Sequence, residues 1–314
     1  LAEASLSSLL SKVREAFAEQ ERHGQIEDGA IVVLAMGKLG SRELTAESDL
    51  DLIFIYDYPG DNAVSNSKRP LPAQQYFSRL SQRFINSITV PTAEGKLYEV
   101  DMRLRPSGNS GPVATRFDGF SEYQRKEAWT WEHMALTRGR VIAGEEHLAQ
   151  RVDETIAEIL RRPRDRRAVA DDVMTMRQRI VKMGDASDVD PWNMKFVRGG
   201  LLDIEFIAQF MQLAHGADDG RVLSPNTCEA LTNCARLGYL DQETTDVLIG
   251  ASALYRNLTA LFRVAIVGNL DPSQAPRGLA NTVQKLAGAD NLAQLESDLR
   301  ESQAQVFKIF LATV

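Results

Sequence analysis

Asp49 and Asp51 stand one residue apart at the head of an apolar run that continues through Leu52-Ile53-Phe54-Ile55-Tyr56. Successive side chains of a strand point to opposite faces, so both carboxylates share one face and Leu50 and Leu52 point the other way, toward a core. Two carboxylates side by side repel each other at a cost in stability. A divalent cation between them removes that cost. Oxygen-only donors suit magnesium, which takes one or two carboxylates together with phosphate oxygens of a substrate. Upstream, Ile31 to Met36 reads as a short buried strand, and Gly37-Lys38-Leu39-Gly40-Ser41 follows it. Glycines permit tight backbone geometry, and successive N–H groups in such a turn cradle phosphate. Ser41 adds a hydroxyl and Lys38 a charge. By itself the turn is a weak signal, because glycine-serine turns are common and ordinarily only reverse the chain.

A third strand is expected over 96–104, ended by Arg105-Pro106-Ser107-Gly108. Alternation places Asp101, Arg103 and Arg105 on one face and Val100, Met102 and Leu104 on the other. Neighbouring strands lie about 5 Å apart. If this strand lies beside 50–56, Asp101 completes a carboxylate triad. The other reading pairs Asp101 with Arg103 or Arg105 on a wet face.

The remaining pattern divides the chain. Leu6, Leu9, Leu10, Val13, Ala16 and Phe17 fall at helical spacing within 1–23. Residues 37–48 read as a turn with one helical turn, 57–72 as a loop rich in Pro, Gly, Asn and Ser, and 73–88 as a helix. From about Phe117 strand signals stop, and helices are expected over 118–143, 145–161, 165–183, 200–215, 224–236, 241–268, 276–288 and 292–313. The expected fold class is α+β: an N-terminal helix (1–29), an α/β domain (30–144) and an all-helical bundle (145–314).

Of the 314 residues 44% are hydrophobic, enough for sizeable cores, and the net charge of −7 gives no general attraction to nucleic acid. The apolar runs are too short to span a membrane, and no signal peptide opens the chain. A start at Leu1 rather than methionine agrees with a segment of a longer protein. Cys228 and Cys234 read as reduced core thiols, which fits a reducing cytoplasm. The scattered histidines, His23, His133, His147 and His215, disfavour zinc.

Jointly, the glycine-serine turn, the Asp-x-Asp strand and the later Asp101 resemble the polymerase-beta-like nucleotidyltransferase superfamily. A closer resemblance covers residues 30–215. It rests on Gly37-Lys38-Leu39-Gly40, Glu43-Leu44, Ser48-Asp49-Leu50-Asp51-Leu52, Asp101-Met102-Arg103-Leu104-Arg105-Pro106 and Gly108-x-x-Gly111. To these it adds Glu127-Ala128-Trp129-Thr130-Trp131-Glu132-His133, Arg138-x-Arg140 and Gly199-Gly200-Leu201-x-Asp203-Ile204-Glu205-Phe206. These are similar to the glutamine synthetase adenylyltransferase family, bifunctional enzymes that add and remove AMP through two nucleotidyltransferase domains.

The resemblance implies ATP as substrate and two Mg2+ ions held by Asp49, Asp51 and Asp101. It implies phosphate binding at Gly37, Lys38, Gly40 and Ser41, with Arg103 or Arg105 neutralising triphosphate charge. It also implies a tyrosine of glutamine synthetase as acceptor, with a PII signal protein and glutamine as regulators. The 127–133 run resembles the AMP-adding, C-terminal copy; the other copy tends to read Asp-Trp-Glu-Arg there. The AMP-removing half, a uridylyltransferase of PII and a silent regulatory module remain as alternatives.

Other residues carry two readings each. Trp129, Trp131 and Met134 fit adenine stacking or, more ordinarily, core packing. Glu127 and Glu132 fit an interface, a supporting role at the metals or plain surface charge. Lys195 and Arg198 ahead of Gly199-Gly200 fit an anion site at a helix N-terminus or an unremarkable helix start. Asp203 and Glu205 fit the same helix's macrodipole. The arginines of 161–167 fit a solvated connection or a patch for an acidic partner.

Overall fold

The computed structural model describes residues 1–19, 22–46, 48–93, 95–183, 189–266 and 275–314. By packing, the described chain forms two units, one of residues 1–44 and 48–160, the other of residues 45–47 and 161–314.

The first unit is built on two apolar strands. Strand β1 (Ala30–Ala35) is buried along its whole length. It pairs antiparallel with β2 (Leu50–Asp57), in register from Ala30 opposite Asp57 to Ala35 opposite Leu52. The other edge of β2 carries two short parallel partners, β3 (Val100–Asp101) at its start and β4 (Ala114–Arg116) at its end. The other edge of β1 pairs antiparallel with β5 (Arg140–Gly144). One sheet face presents Ile31, Val33, Ala35, Leu50, Leu52, Phe54 and Tyr56 to a single apolar core. Helix α1 (Ala2–Glu19) brings Leu6, Leu10, Val13 and Phe17 to it. The connection from β1 to β2 contains α2 (Gly37–Gly40), and α3 (Ala73–Thr89) adds Tyr76, Phe77, Leu80, Phe84 and Ile88 to the core. Helices α4 (Phe117–Lys126) and α6 (Glu146–Leu160) also contact β2 and β1, whose remaining residues Val32, Leu34, Ile53 and Ile55 are buried. Between α4 and β5 lies α5 (Thr130–Leu136). Helix α6 contacts β5, β1, α4 and α5, so by packing it belongs with the sheet, although its sequence pattern groups it with the later helices.

The strands at 31–36 and 50–56, the helix at 73–88 and the single helical turn after Gly37 are found within a residue or two of expectation. Two expectations for this unit are corrected. The strand expected over 96–104 shrinks to Val100–Asp101, because the chain turns at once: the Arg103 N–H donates to Asp101 Oδ1 (2.8 Å). The Arg105 and Gly108 N–H groups then donate back to Met102 O and Arg105 O. Asp101, Arg103 and Arg105 therefore do not line one strand face. The helix expected over 118–143 is instead α4, α5 and strand β5. Gly139 and Gly144 bracket the β-branched Val141 and Ile142, and a Cβ at Gly144 (φ +118°) would stand 2.1 Å from Ile31 O. That close approach of backbones is what strand pairing needs there and what a helix would forbid.

The second unit is helical throughout its long elements: α7 (Arg166–Met183), α8 (Leu201–His215), α9 (Thr227–Arg236), α10 (Gln242–Ala265), α11 (Arg277–Ala287) and α12 (Leu292–Thr313). Helix α8 is buried almost all round and contacts α7, α9, α10 and α12. Asn226, Asp241 and Asn291 cap α9, α10 and α12 by accepting the N–H of Glu229, Thr244 and Gln294 at 2.7–3.1 Å. Of the expected spans 1–23, 37–48 and 241–268, residues 20, 21, 47, 267 and 268 lie outside the described residues. Among the described residues no helix is long and apolar enough to cross a membrane. Cys228 and Cys234 are free thiols, and burial pushes the Cys234 thiol up to about 12, which leaves it unreactive.

Candidate active site

The start of β2 gathers the acidic residues. Asp51 and Asp101 are direct Cα partners on parallel neighbouring strands, so their side chains leave the sheet on the same face about 5 Å apart. Asp49 lies one step before β2 on that face and is exposed. Leu50 and Leu52 alternate into the core with no exposure, as the pattern requires. The carboxylates feel one another. Burial, then Asp101 and Asp49, push the Asp51 carboxyl up to about 6, against the opposing pull of Arg138 and Arg103. Burial also raises Asp101, but the side-chain and backbone hydrogen bonds from Arg103 more than reverse this and hold it below its ordinary value. Arg103 grips Asp101 through Nε, 2.8 Å from Oδ2, as well as through Nη2 and its own N–H.

The glycine turn meets this cluster directly. Gly37 has φ +52°, and a Cβ there would stand 2.2 Å from Asp51 Oδ2. A Cβ on Gly40 would stand 1.9 Å from Arg138 O and 2.6 Å from Ala35 O, so α2 lies pressed against the β1 and β5 ends. Gly40→Ala is expected to cost about 3 kcal/mol, the upper part of the overpacking range. Both obstructing atoms are backbone, so no side chain can turn aside. Urea unfolding measures it, and a loss below about 1 kcal/mol would show that the two backbones can separate. Lys38 is half-buried on α2. The first N–H groups of a helix lack intrahelical acceptors, and α2 begins at Gly37, beside Asp51.

Two expected site residues are placed elsewhere. The Ser41 side chain is buried: Oγ donates to Glu43 Oε2 (2.9 Å) and accepts from Arg138 Nη2 (2.9 Å). Arg138 also pairs with Glu43 at 2.7 Å, both side chains being nearly inaccessible. Arg105 donates to Met102 O (2.7 Å) and Gly111 O (3.3 Å), so its guanidinium holds together the turn after β3. Both side chains brace the site.

Glu43 and Arg138 stand in the sequence motifs with no role that spacing alone assigns. The structure makes them the buried ion pair that fixes the end of α2, and Arg138 acts on Asp51 as well. Glu132 is likewise buried; it accepts from the Tyr123 hydroxyl (2.7 Å) and from the Trp129 N–H (2.9 Å), fixing the start of α5. The Tyr123 hydroxyl in turn takes a backbone hydrogen bond from Ser107, which ties α5 to the turn after Asp101. Long-range pairs of this kind have no periodicity by which a sequence could reveal them. Core packing holds for Met134 (2% exposed) but not for Trp129 and Trp131, which are 72% and 37% exposed.

The Gly199–Gly200 turn is structural. The Gly199 N–H donates to Asp203 Oδ2 (2.6 Å), and a Cβ on Gly199 (φ +77°) would stand 1.7 Å from Gln303 O of α12. The start of α8 thus already holds its own carboxylate. Lys195 lies over the Phe196 ring at 4.7 Å. In 161–167, Arg166 bonds Ala214 O and Asp218, and Arg164, which burial and Arg162 pull down to about 10, donates to Arg162 O.

A mixed sheet with helices on it, followed by a helical unit, is an α+β nucleotidyltransferase fold. Residues 1–155 match the family described as Glutamate-ammonia ligase adenylyltransferase, and residues 167–309 match that described as GlnD PII-uridylyltransferase. Proteins named bifunctional glutamine synthetase adenylyltransferase/adenylyl-removing enzyme are similar along 99% of this chain. That of Rhodopseudomonas palustris (strain BisB5) is 44% identical over 310 residues, and that of Xanthobacter autotrophicus 44% over 311. That of Bradyrhizobium diazoefficiens is 40% identical over 312 residues. The chain belongs to the glutamate-ammonia ligase adenylyltransferase family. It spans 31% of the length of the curated relatives it matches.

Proposed function

We propose that this chain is a nucleotidyltransferase segment that moves AMP from ATP to a tyrosine of glutamine synthetase and releases pyrophosphate. The observation that carries this reading is the pairing of Asp51 with Asp101 across β2 and β3, beside Asp49 and against Gly37. Among the described residues no three His, Cys, Asp or Glu side chains form a ready-made metal cage. The donor set nonetheless fits magnesium. It is all oxygen, and a carboxyl raised by burial and by two others is in the condition that a bound cation relieves. Asp49, Asp51 and Asp101 would hold the magnesium. When bound, such ions neutralise triphosphate charge and lower the pKa of the attacking hydroxyl.

The chain's own groups bind and orient the substrates. The N–H groups at the start of α2 and the Lys38 ammonium face phosphate oxygens, with Gly37 allowing the nucleotide to approach Asp51. The Ser41–Glu43–Arg138 network keeps α2 at a fixed distance from β2, so that positioning supplies much of the rate, as in other phosphoryl transfers. Transfer is in-line: the tyrosine oxygen bonds to the α-phosphorus as the bond to the bridging oxygen breaks, and pyrophosphate carries away that electron pair. The 127–133 motif favours the AMP-adding over the AMP-removing half. A PII protein and glutamine are its proposed regulators and a reducing cytoplasm its proposed setting.

Intact-mass spectrometry of unmodified glutamine synthetase after incubation with the chain, ATP and magnesium tests this. One AMP gained per subunit, lost with Asp49→Asn, is expected. Loss of AMP from the pre-adenylylated enzyme in phosphate, without any gain, would assign the removing half instead. If glutamine synthetase neither gains nor loses AMP, the reading is overturned.

A further inference from the structure

A cation of the chain itself already stands at the carboxylates. The Arg103 guanidinium approaches Asp101 with Nε and Nη2, while the Arg103 N–H donates to Oδ1, so both oxygens of Asp101 are engaged. Asp51 and Asp49 also act on Arg103, which therefore lies in the field of all three aspartates. The two ends of this pair differ sharply. The Asp101 side chain is 16% exposed and fixed on β3, whereas that of Arg103 is 75% exposed. The turn that carries Arg103 is held not only by the Arg103 N–H on Asp101 but also by the Arg105 guanidinium on Met102 O and Gly111 O. The Arg103 side chain can swing out while the turn stays in place, and an ion pair so open to water is weak enough to be displaced.

Building on the function proposed above, we infer that Arg103 is an internal counter-cation that holds Asp101 in the ligand-free protein and exchanges it for a phosphate oxygen when a divalent ion and nucleotide enter. The exchange keeps charge matched at each stage. Without ligands the guanidinium offsets the acidic cluster. With them, Asp101 would hold the ion and the guanidinium would turn to the triphosphate, where its planar fork suits two oxygens. Ion and nucleotide then bind cooperatively, because each removes the partner that the other must displace.

The test is Mn2+ binding followed by electron paramagnetic resonance, with and without α,β-methylene ATP, which cannot be split at the α-phosphorus. Wild type should bind Mn2+ weakly alone and more tightly with the analogue. Arg103→Gln should bind Mn2+ alone about two- to fivefold more tightly than wild type, the factor set by an exposed ion pair. Its gain on adding the analogue should be smaller. Arg103→Lys, which keeps charge but loses the fork, should fall between. Unchanged or weaker Mn2+ binding by Arg103→Gln, with the analogue's effect intact, overturns the exchange while leaving the site assignment standing. Wild type that binds no Mn2+ with the analogue, and is indistinguishable from Asp49→Asn, overturns both.

Discussion

Asp51→Asn is expected to abolish AMP transfer and to stabilise the metal-free protein at the same time. The loss of activity, at least about 10²–10³-fold, follows from removing a charge aimed at the reacting centre. The gain in stability follows from the same charge. Burial and the neighbouring Asp101 and Asp49 raise the folded carboxyl to about 6, from an ordinary value of 3.8. A carboxyl raised by folding keeps its proton in the folded chain when the unfolded chain has already lost it. Its contribution to stability is therefore full below about pH 4, declines as pH rises through about 6, and stays lost above. The shift is worth about 2–3 kcal/mol at pH 7 as an upper bound. Asparagine carries no such charge, so the variant should be more stable than wild type by about 1–2 kcal/mol at pH 7 in chelator, and the advantage should fade by pH 4–5. Urea unfolding at the two pH values measures this. Magnesium should raise the melting temperature of wild type and leave that of Asp51→Asn nearly unmoved, because a ligand stabilises only the state that binds it. A variant less stable than wild type at pH 7 would show that the carboxylates are not crowded.

The parts of this site that are legible in sequence are those written in alternation. Leu50, Leu52, Phe54 and Tyr56 point one way because the period of a strand is two, and that alone places Asp49 and Asp51 together on the other side. The helices with one apolar stripe, such as α3, are legible for the same kind of reason. What alternation cannot report is where it stops. At Asp101 the side chain captures the N–H of Arg103 and ends the strand, so residues that share a parity in the sequence do not share a face. Strand β5 is hidden because it is short, partly exposed and preceded by helical residues. Its place is fixed by β1 more than a hundred residues away. Ser41 shows a different limit. The motif supplies a hydroxyl beside a glycine, and only the distant Arg138 determines that the hydroxyl faces inward.

In the helical unit, removal of either partner of the Arg177–Asp203 pair is expected to be among the most destabilising single changes. Asp203 is fully buried and Arg177 is 7% exposed. Nε and Nη2 of Arg177 reach the two Asp203 oxygens, at 3.0 Å for Nη2, and the guanidinium lies 5.0 Å from the Phe307 ring. Asp203→Ala leaves a buried guanidinium without its anion and the Gly199 N–H without its acceptor; it should cost about 3–5 kcal/mol in urea unfolding, and Arg177→Met should cost about as much. The double change Asp203→Leu with Arg177→Met should recover a large part of the loss, since no charge is then left to be desolvated. Single changes costing below about 1 kcal/mol would mean that water reaches the pair. The comparison also separates the two readings of the Gly199–Gly200 turn. A turn that binds phosphate would weaken ATP binding when altered and leave stability alone. A turn whose N–H is taken by Asp203 and whose Cα lies against α12 must do the reverse, and the 1.7 Å between a Gly199 Cβ and Gln303 O leaves no room for any residue larger than glycine to test it gently.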